Sequence, residues 1–241
     1  MTHTRRETYV KGLGTVLYSE GPFDETLDEL KSYNAEIISA SQLAFARMQR
    51  GKDHSLSENG SYVKEGILYV PNAEIKRVLL RDSLVLENPK KATEAHRKNQ
   101  EFFLGKDFNV NDFIESLPKD DRLFLCYTNS IPTDRFGEDG YTVWAFGESA
   151  KDYGLFLKDA GISSITFNSD DTDLIQSHRR PYANQLWFYG LGSDSNINGD
   201  YGSLNFNDRV RGVRRVNTQP TNISSLDDVL EYSRDFVPKN S

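Results

Sequence analysis

The stretch Asn184–Val216, NQLWFYGLGSDSNINGDYGSLNFNDRVRGVRRV, sets two kinds of sequence side by side. From Phe188 to Asp208 it contains no Lys, Glu, Gln, Met or Trp, although Lys and Glu are frequent in the rest of the chain. That part is dense in Tyr, Phe, Ser, Gly, Asn and Asp. Tyr supplies a large contact area at small entropic cost, and Ser, Gly and Asn supply adaptable hydrogen bonds, as on antibody binding surfaces. Lys and Glu lose more entropy when ordered, and interfaces are depleted in them. A turn-rich hairpin region with aromatics in its core has the same composition, so composition leaves the two readings even. The segment ends in a tightly patterned, strand-like run, RVRGVRR, from Arg209 to Arg215.

Working outward, short strand signals lie at Gly66–Val70, Arg122–Tyr127, Tyr141–Phe146, Ser164–Phe167, Gln185–Tyr189 and Arg209–Val216. Helix signals are scattered among them. Ser39 with Gln42 three residues on makes a capping box for SASQLAFARMQR. TEAHRKNQEFF reads as a helix ending near Gly105, and NDFIESLP as one from Asn111 to Pro118. In ESAKDYGLFLKDAG, Ser149, Tyr153, Phe156, Leu157 and Ala160 share a face and Gly161 sits at the C-terminal cap. A last helix opens at Ser225 and ends before Pro238. Strands and helices do not alternate as βαβ units, so the expected class is α+β, with small antiparallel sheets, two or more helices and long irregular loops. With no repeat or linker, the 241 residues read as one domain, 1–241, with an elaborated N-terminal half.

Composition narrows the function classes. The net charge of −7 disfavours a nucleic-acid partner, since the one dense basic cluster is short and strand-like. The N-terminus has no apolar core of a secretory signal, and no run reaches membrane-spanning length, so membrane insertion is not expected. The expected location is cytoplasmic or virion-associated. Cys126 is alone, which rules out an internal disulfide, and its LFLCYT surroundings make it a small core residue.

Candidate chemistry is sparse. DSNINGD places Asp194, Asn196 and Asn198 at alternate positions before Gly199, as a calcium loop begins, but the twelfth position is Asn205, which cannot be the bidentate carboxylate. NSDDTD, Asn168–Asp173, reads as a solvated acidic loop. No two of the four histidines have metal-ligand spacing, and His178, in a long loop, reads as a surface or hydrogen-bonded residue ahead of a site residue. GLGSDSNING has the glycines of a phosphate cradle without a following helix. No metal and no cofactor is expected.

From Gln185 onward, Trp187 followed by Arg211-Gly212-Val213-Arg214 resembles the C-terminal part of a C-type lectin-like fold. The branch resembled contains the variable proteins of diversity-generating retroelements and the formylglycine-generating-enzyme-like domains. In the retroelement systems, adenines of a template repeat are miscopied into the variable region. Template Asn codons ending in a pyrimidine then become codons that never specify Lys, Glu, Gln, Met or Trp. The exclusion from Phe188 to Asp208 fits that rule. The enzyme branch uses a cysteine pair, and this chain has only Cys126, so no enzymatic activity is expected.

The resemblance implies a hypervariable ligand-binding surface within residues 182–216, of phage or archaeal origin, with a protein or cell-surface partner. The expected contact residues are Asn184, Phe188, Tyr189, Ser193, Asp194, Ser195, Asn196, Asn198, Asp200, Tyr201, Asn205 and Asn207. Trp187, Arg211, Gly212 and Arg214 are the expected scaffold, the two arginines locking the loops by buried or half-buried hydrogen bonds. The alternatives are a calcium-dependent carbohydrate-binding module and a formylglycine-generating-type enzyme or hydrolase.

Overall fold

The computed structural model describes residues 2–125, 129–192, 195–200, 204 and 208–214. Along these the chain runs β1 (His3–Val10), β2 (Gly14–Gly21), α1 (Phe23–Ser32), β3 (Glu36–Ile37), α2 (Ala40–Arg50), α3 (Ser55–Glu58), β4 (Ser61–Tyr69) and β5 (Arg77–Leu80). It continues through α4 (Pro89–Arg97), α5 (Val110–Ser116), β6 (Arg122–Phe124), β7 (Asn129–Pro132), α6 (Gly140–Phe146) and α7 (Ala150–Asp159). The last elements are β8 (Ser164–Asn168), α8 (Thr172–Ser177), β9 (Tyr182–Phe188), β10 (Asn196–Asn198) and β11 (Asp208–Arg214).

Local chemistry sets most of these boundaries. Ser39 Oγ accepts from the Gln42 N–H at 3.2 Å while Gln42 Oε1 accepts from the Ser39 N–H at 2.9 Å, the reciprocal box that starts α2. Helix α7 buries Tyr153 and Leu157, and the chain leaves it through Gly161 at φ 85°. Helix α4 starts earlier than TEAHRKNQEFF suggests. Pro89 opens it, where a missing N–H costs nothing, and Asn99 at φ 52° stops it before Phe103. Asn109 caps α5 by accepting from the N–H groups of Asn111 and Asp112.

YTVWAF, expected as a strand, is helix α6. Asp139 Oδ1 accepts from the N–H groups of Tyr141 at 2.9 Å and Thr142 at 3.2 Å, and this cap decides between states that a short apolar run leaves open. The strand expected at Arg122–Tyr127 is described only to Phe124, and Cys126 and Tyr127 lie outside the described residues. So does the helix expected at Ser225.

The strands join in one hydrogen-bonded network, mostly antiparallel, rather than in separate small sheets. Its order is β1-β2-β11-β4-β9-β10-β8-β7, with β3 on β11, and β5 linking β4 to β6. Strand β11, the RVRGVRR segment, lies between β2 and β4 and pairs antiparallel with β2 from Asp208 to Arg214. Helices cover both sides. On one, Leu43, Phe146 and Leu157 pack with Phe167, Phe188 and Ile197. On the other, Leu27, Leu30 and Ala92 pack with Tyr62, Leu68 and Val210. Strand β9 divides its side chains between the two, sending Tyr182, Leu186 and Phe188 to the first core and Ala183 and Trp187 to the second. Among the described residues no helix is long and apolar enough to cross a membrane.

Where β4 bulges between Tyr62 and Gly66, Glu65 turns inward and is 1% exposed. Its Oε2 accepts from the Ala40 N–H at 2.9 Å, at the start of α2. Burial pushes its carboxyl up to about 7, against the lowering pull of that hydrogen bond. A carboxyl raised this way favours the folded state while protonated. That contribution is complete below its ordinary value of 4.5 and is lost as the pH rises through about 7. Glu65→Gln keeps an acceptor for Ala40 and carries no charge. Urea unfolding should show this variant near wild type at pH 5 and more stable at pH 8, by up to about 3 kcal/mol. A difference independent of pH would contradict the assignment.

Candidate functional site

At the β9-β10-β8 corner the pleat separates an inner from an outer set. Ile165, Phe167, Phe188 and Ile197 point into the core, each at most 1% exposed. Their strand neighbours Thr166, Asn168, Trp187, Asn196 and Asn198 are half-buried. Register aligns them: Asn196 pairs with Thr166, and Asn198 lies opposite Asn168 on β8 and Trp187 on β9. The Thr166 N–H donates to Asn196 Oδ1 at 3.3 Å, and Asn168 Nδ2 donates to Asn198 Oδ1. Asn198 Nδ2 lies 3.5 Å from the Tyr189 hydroxyl, and Tyr189 meets Trp187 edge to face at 6.1 Å. The Tyr189 N–H donates to Asn196 O at 2.9 Å and ties the strand end to β10. The result is an aromatic and amide face with no charged side chain in its row.

Two buried arginines hold this corner from behind. Arg211 is 0% exposed. Its Nε donates to Glu7 Oε2 at 2.6 Å and its Nη2 to Glu7 Oε1 at 3.0 Å, a bidentate pair. The remaining guanidinium hydrogens go to the carbonyls of Ser55, Asn59 and Gly60 at 3.0–3.3 Å. Glu7 reaches it because β1 is irregular against β2 between Arg6 and Thr8. Burial pushes the Glu7 carboxyl up, but the hydrogen bond and charge of Arg211 prevail and hold it below the ordinary range.

Arg47 is also 0% exposed. Its Nε donates to Leu56 O at 2.8 Å, its Nη1 to the Tyr153 hydroxyl at 3.1 Å, and its Nη2 to Tyr189 O at 2.8 Å and Asn59 O at 3.3 Å. Its guanidinium carbon lies 4.2 Å from the centre of the Phe188 ring. Asn59 O thus receives both arginines, and Asn59 Oδ1 accepts from Arg209 Nη1 at 2.9 Å. The 54–61 segment is the common anchor.

Two glycines allow the close approach this wiring needs. A Cβ on Gly60 would stand 2.6 Å from Trp187 Cζ2, and one on Gly190 would stand 2.1 Å from Glu58 O. Trp187 lies over the anchor segment, and the turn after β9 runs against its backbone.

The expected contact residues divide three ways. Tyr189, Asn196 and Asn198 stand half-buried on the outer face, and Asp200 is exposed beyond it. Asn184, Phe188 and Ser195 are 3%, 0% and 2% exposed, so burial corrects their assignment to ligand contact. Phe188 is a core ring under Arg47, and Asn184 Nδ2 donates to Gly199 O at 2.9 Å, fixing the start of the next loop. Ser193, Asp194, Tyr201, Asn205 and Asn207 lie outside the described residues.

Of the expected scaffold, Trp187 is half-buried, and Arg211 and Gly212 are buried. A Cβ on Gly212 would stand 2.9 Å from Leu30 Cδ2. Arg214 is exposed at the end of β11, which corrects its assignment to buried or half-buried hydrogen bonding. Asn196 and Asn198 sit on a paired strand, and Asp194 and Asn205, the other positions of the calcium-like pattern, lie outside the described residues. Among the described residues no group of three His, Cys, Asp or Glu is placed to hold a metal ion.

Glu7, Arg47 and Asn59 were not singled out in the sequence. Arg47 had a signal: it shares the buried face of α2 with Leu43 and Ala44, at helical spacing. Glu7 and Asn59 lie in polar surroundings with no such mark.

No family model matches the chain, and no curated protein matches it. A solved structure does. It comes from Nanoarchaeota and is described as accommodating massive sequence variation by the C-type lectin fold. It superimposes with a TM-score of 0.62 over 83% of this chain and 96% of its own, at 20% identity. The fold of this chain is therefore the C-type lectin fold.

Arg211→Met should cost about 3–5 kcal/mol in urea unfolding, because it leaves Glu7 buried without its partner. Adding Glu7→Gln should recover part of that loss, so the double variant is more stable than the sum of the single ones predicts. Additive losses would mean that the pair does not act as one unit.

Proposed function

We propose that this chain is a target-recognition protein that displays a hypervariable surface on the C-type lectin fold, with its coding sequence diversified by a retroelement. Its partner is a protein or a cell-surface molecule, and it acts by binding rather than by catalysis. One observation carries the reading. Tyr189, Asn196 and Asn198 share a neutral outer face, while the residues that hold the corner, Phe188, Arg47 and Arg211, are turned inside. Outer side chains of this kind can be exchanged at small cost to stability. The absence of Lys, Glu, Gln, Met and Trp from Phe188 to Asp208 supports diversification at pyrimidine-ending Asn codons. The description of the structural neighbour, massive sequence variation on this fold, supports it further.

Two tests apply. The genome should hold a reverse transcriptase and a near-copy of the coding segment for residues 182–216, differing mainly at adenines. Absence of both would leave an ordinary binding domain. In the protein, replacing Tyr189, Asn196 and Asn198 together by Ser, Asp and Ala should change unfolding free energy by no more than about 2 kcal/mol. Phe188→Ala alone should cost about 3–5 kcal/mol. A triple variant that unfolds the protein would remove the basis for a variable face here.

A further inference from the structure

A polar cleft of about 330 Å³ borders the outer face, between the chain that leads from the C-terminal end of α7 into β8 and the chain that leads into β10. Gly161, Ser163, Ser164 and Thr166 line one part of it, and Ser195 and Asn196 another. The first group lies outside the 182–216 segment, so a fixed wall meets a wall that belongs to the candidate variable stretch. Among the described residues no Lys, Arg or His lines the cleft, and neither does an acid. The lining offers hydroxyl and amide oxygens together with the end of a ten-residue helix. The peptide dipoles of that helix place partial negative charge at this end. The charges of its last turn, Lys158 and Asp159, are both exposed and offset each other. Ser195 is 2% exposed, and its Oγ has no hydrogen-bond partner among the described residues, a state that calls for a reason.

We propose that this cleft is a subsite for one basic side chain of a protein partner, best filled by an arginine guanidinium. The inference rests on the recognition reading above and adds to it a fixed anchor point beside the exchangeable face. A guanidinium presents five N–H donors in a plane and is weakly hydrated, which suits a half-open cleft of neutral oxygens. The volume is enough for a side chain of that size. The chain's net charge of −7 also draws a cationic partner toward it.

The test is a titration of the isotopically labelled full chain with N-acetyl-arginine amide, followed by amide NMR shifts. N-acetyl-citrulline amide, of the same shape without the charge, serves as the control. The arginine derivative should give saturable shifts at Gly161, Ser164, Thr166 and Gly192. Its affinity should exceed that of the citrulline compound by about tenfold, in keeping with the greater strength of charge-assisted hydrogen bonds. Thr166→Val should weaken binding, and Ser164→Lys, which places an ammonium in the cleft, should abolish it while leaving distant resonances in place. Equal response to the two compounds, shifts confined to other residues, or unchanged binding in both variants would overturn the proposal. The titration needs no partner, so it can fail while the outer face still recognises a target, and the face can fail while the cleft still binds arginine.

Discussion

The structure depends on two guanidinium groups that share one carbonyl. Arg47 and Arg211 lie on different elements, a helix and the closing strand, and both donate to Asn59 O. Neither is in contact with bulk water. A buried charge is tolerated only when nearly all of its hydrogens are used. Here the short 54–61 segment supplies most of the acceptors, so it cannot move without exposing two charges at once. Glu7 neutralises one of them and Tyr153, Tyr189 O and the Phe188 ring solvate the other. The cost of disrupting this arrangement is what gives a loop-rich corner a fixed shape.

That arrangement also separates the side chains of the outer face from the fold that carries them. The carbonyl of Tyr189 is held by Arg47, whereas its side chain stands on the outer face. Backbone position is thus set by residues far away in sequence, on α2 and on the anchor segment. Side-chain identity at Tyr189, Asn196 and Asn198 is left to the surface. The strand pleat does the same at β10, where Ile197 holds the core and its two neighbours face out. At Tyr189, Asn196 and Asn198 the side chains are of the aromatic and amide kinds that a half-buried surface tolerates.

The legible parts of the sequence were those with a local cause. The capping box at Ser39, the helix ending at Gly161 and the strand through Trp187 all follow from residues within a few positions of each other. The closing strand was legible in the RVRGVRRV pattern, and its scaffold role came from the resemblance to the C-type lectin-like fold carried by Trp187 and residues 211–214. What escaped was decided either by a cap just outside the run being read or by a non-local cause. YTVWAF became a helix because Asp139 caps it, and short apolar runs carry no period of their own. The β1–β2 hairpin is mostly polar on its edge strand and gave little alternation to read. Asn184 and Phe188 sat inside a binding-like composition, yet the register of β9 turns them inward, and no composition reveals a register. Arg214 looked like Arg211 but lies at the strand end.

The buried arginines fix the backbone under the aromatic and amide face. Residue-resolved amide hydrogen exchange of Arg47→Met tests this most directly. The Tyr189 N–H, bonded to Asn196 O, should lose protection along with Ile197 and Asn198, while the β1–β2 hairpin exchanges as in the wild-type protein. Unchanged protection at Tyr189, or a uniform loss across the whole sheet, would contradict the account.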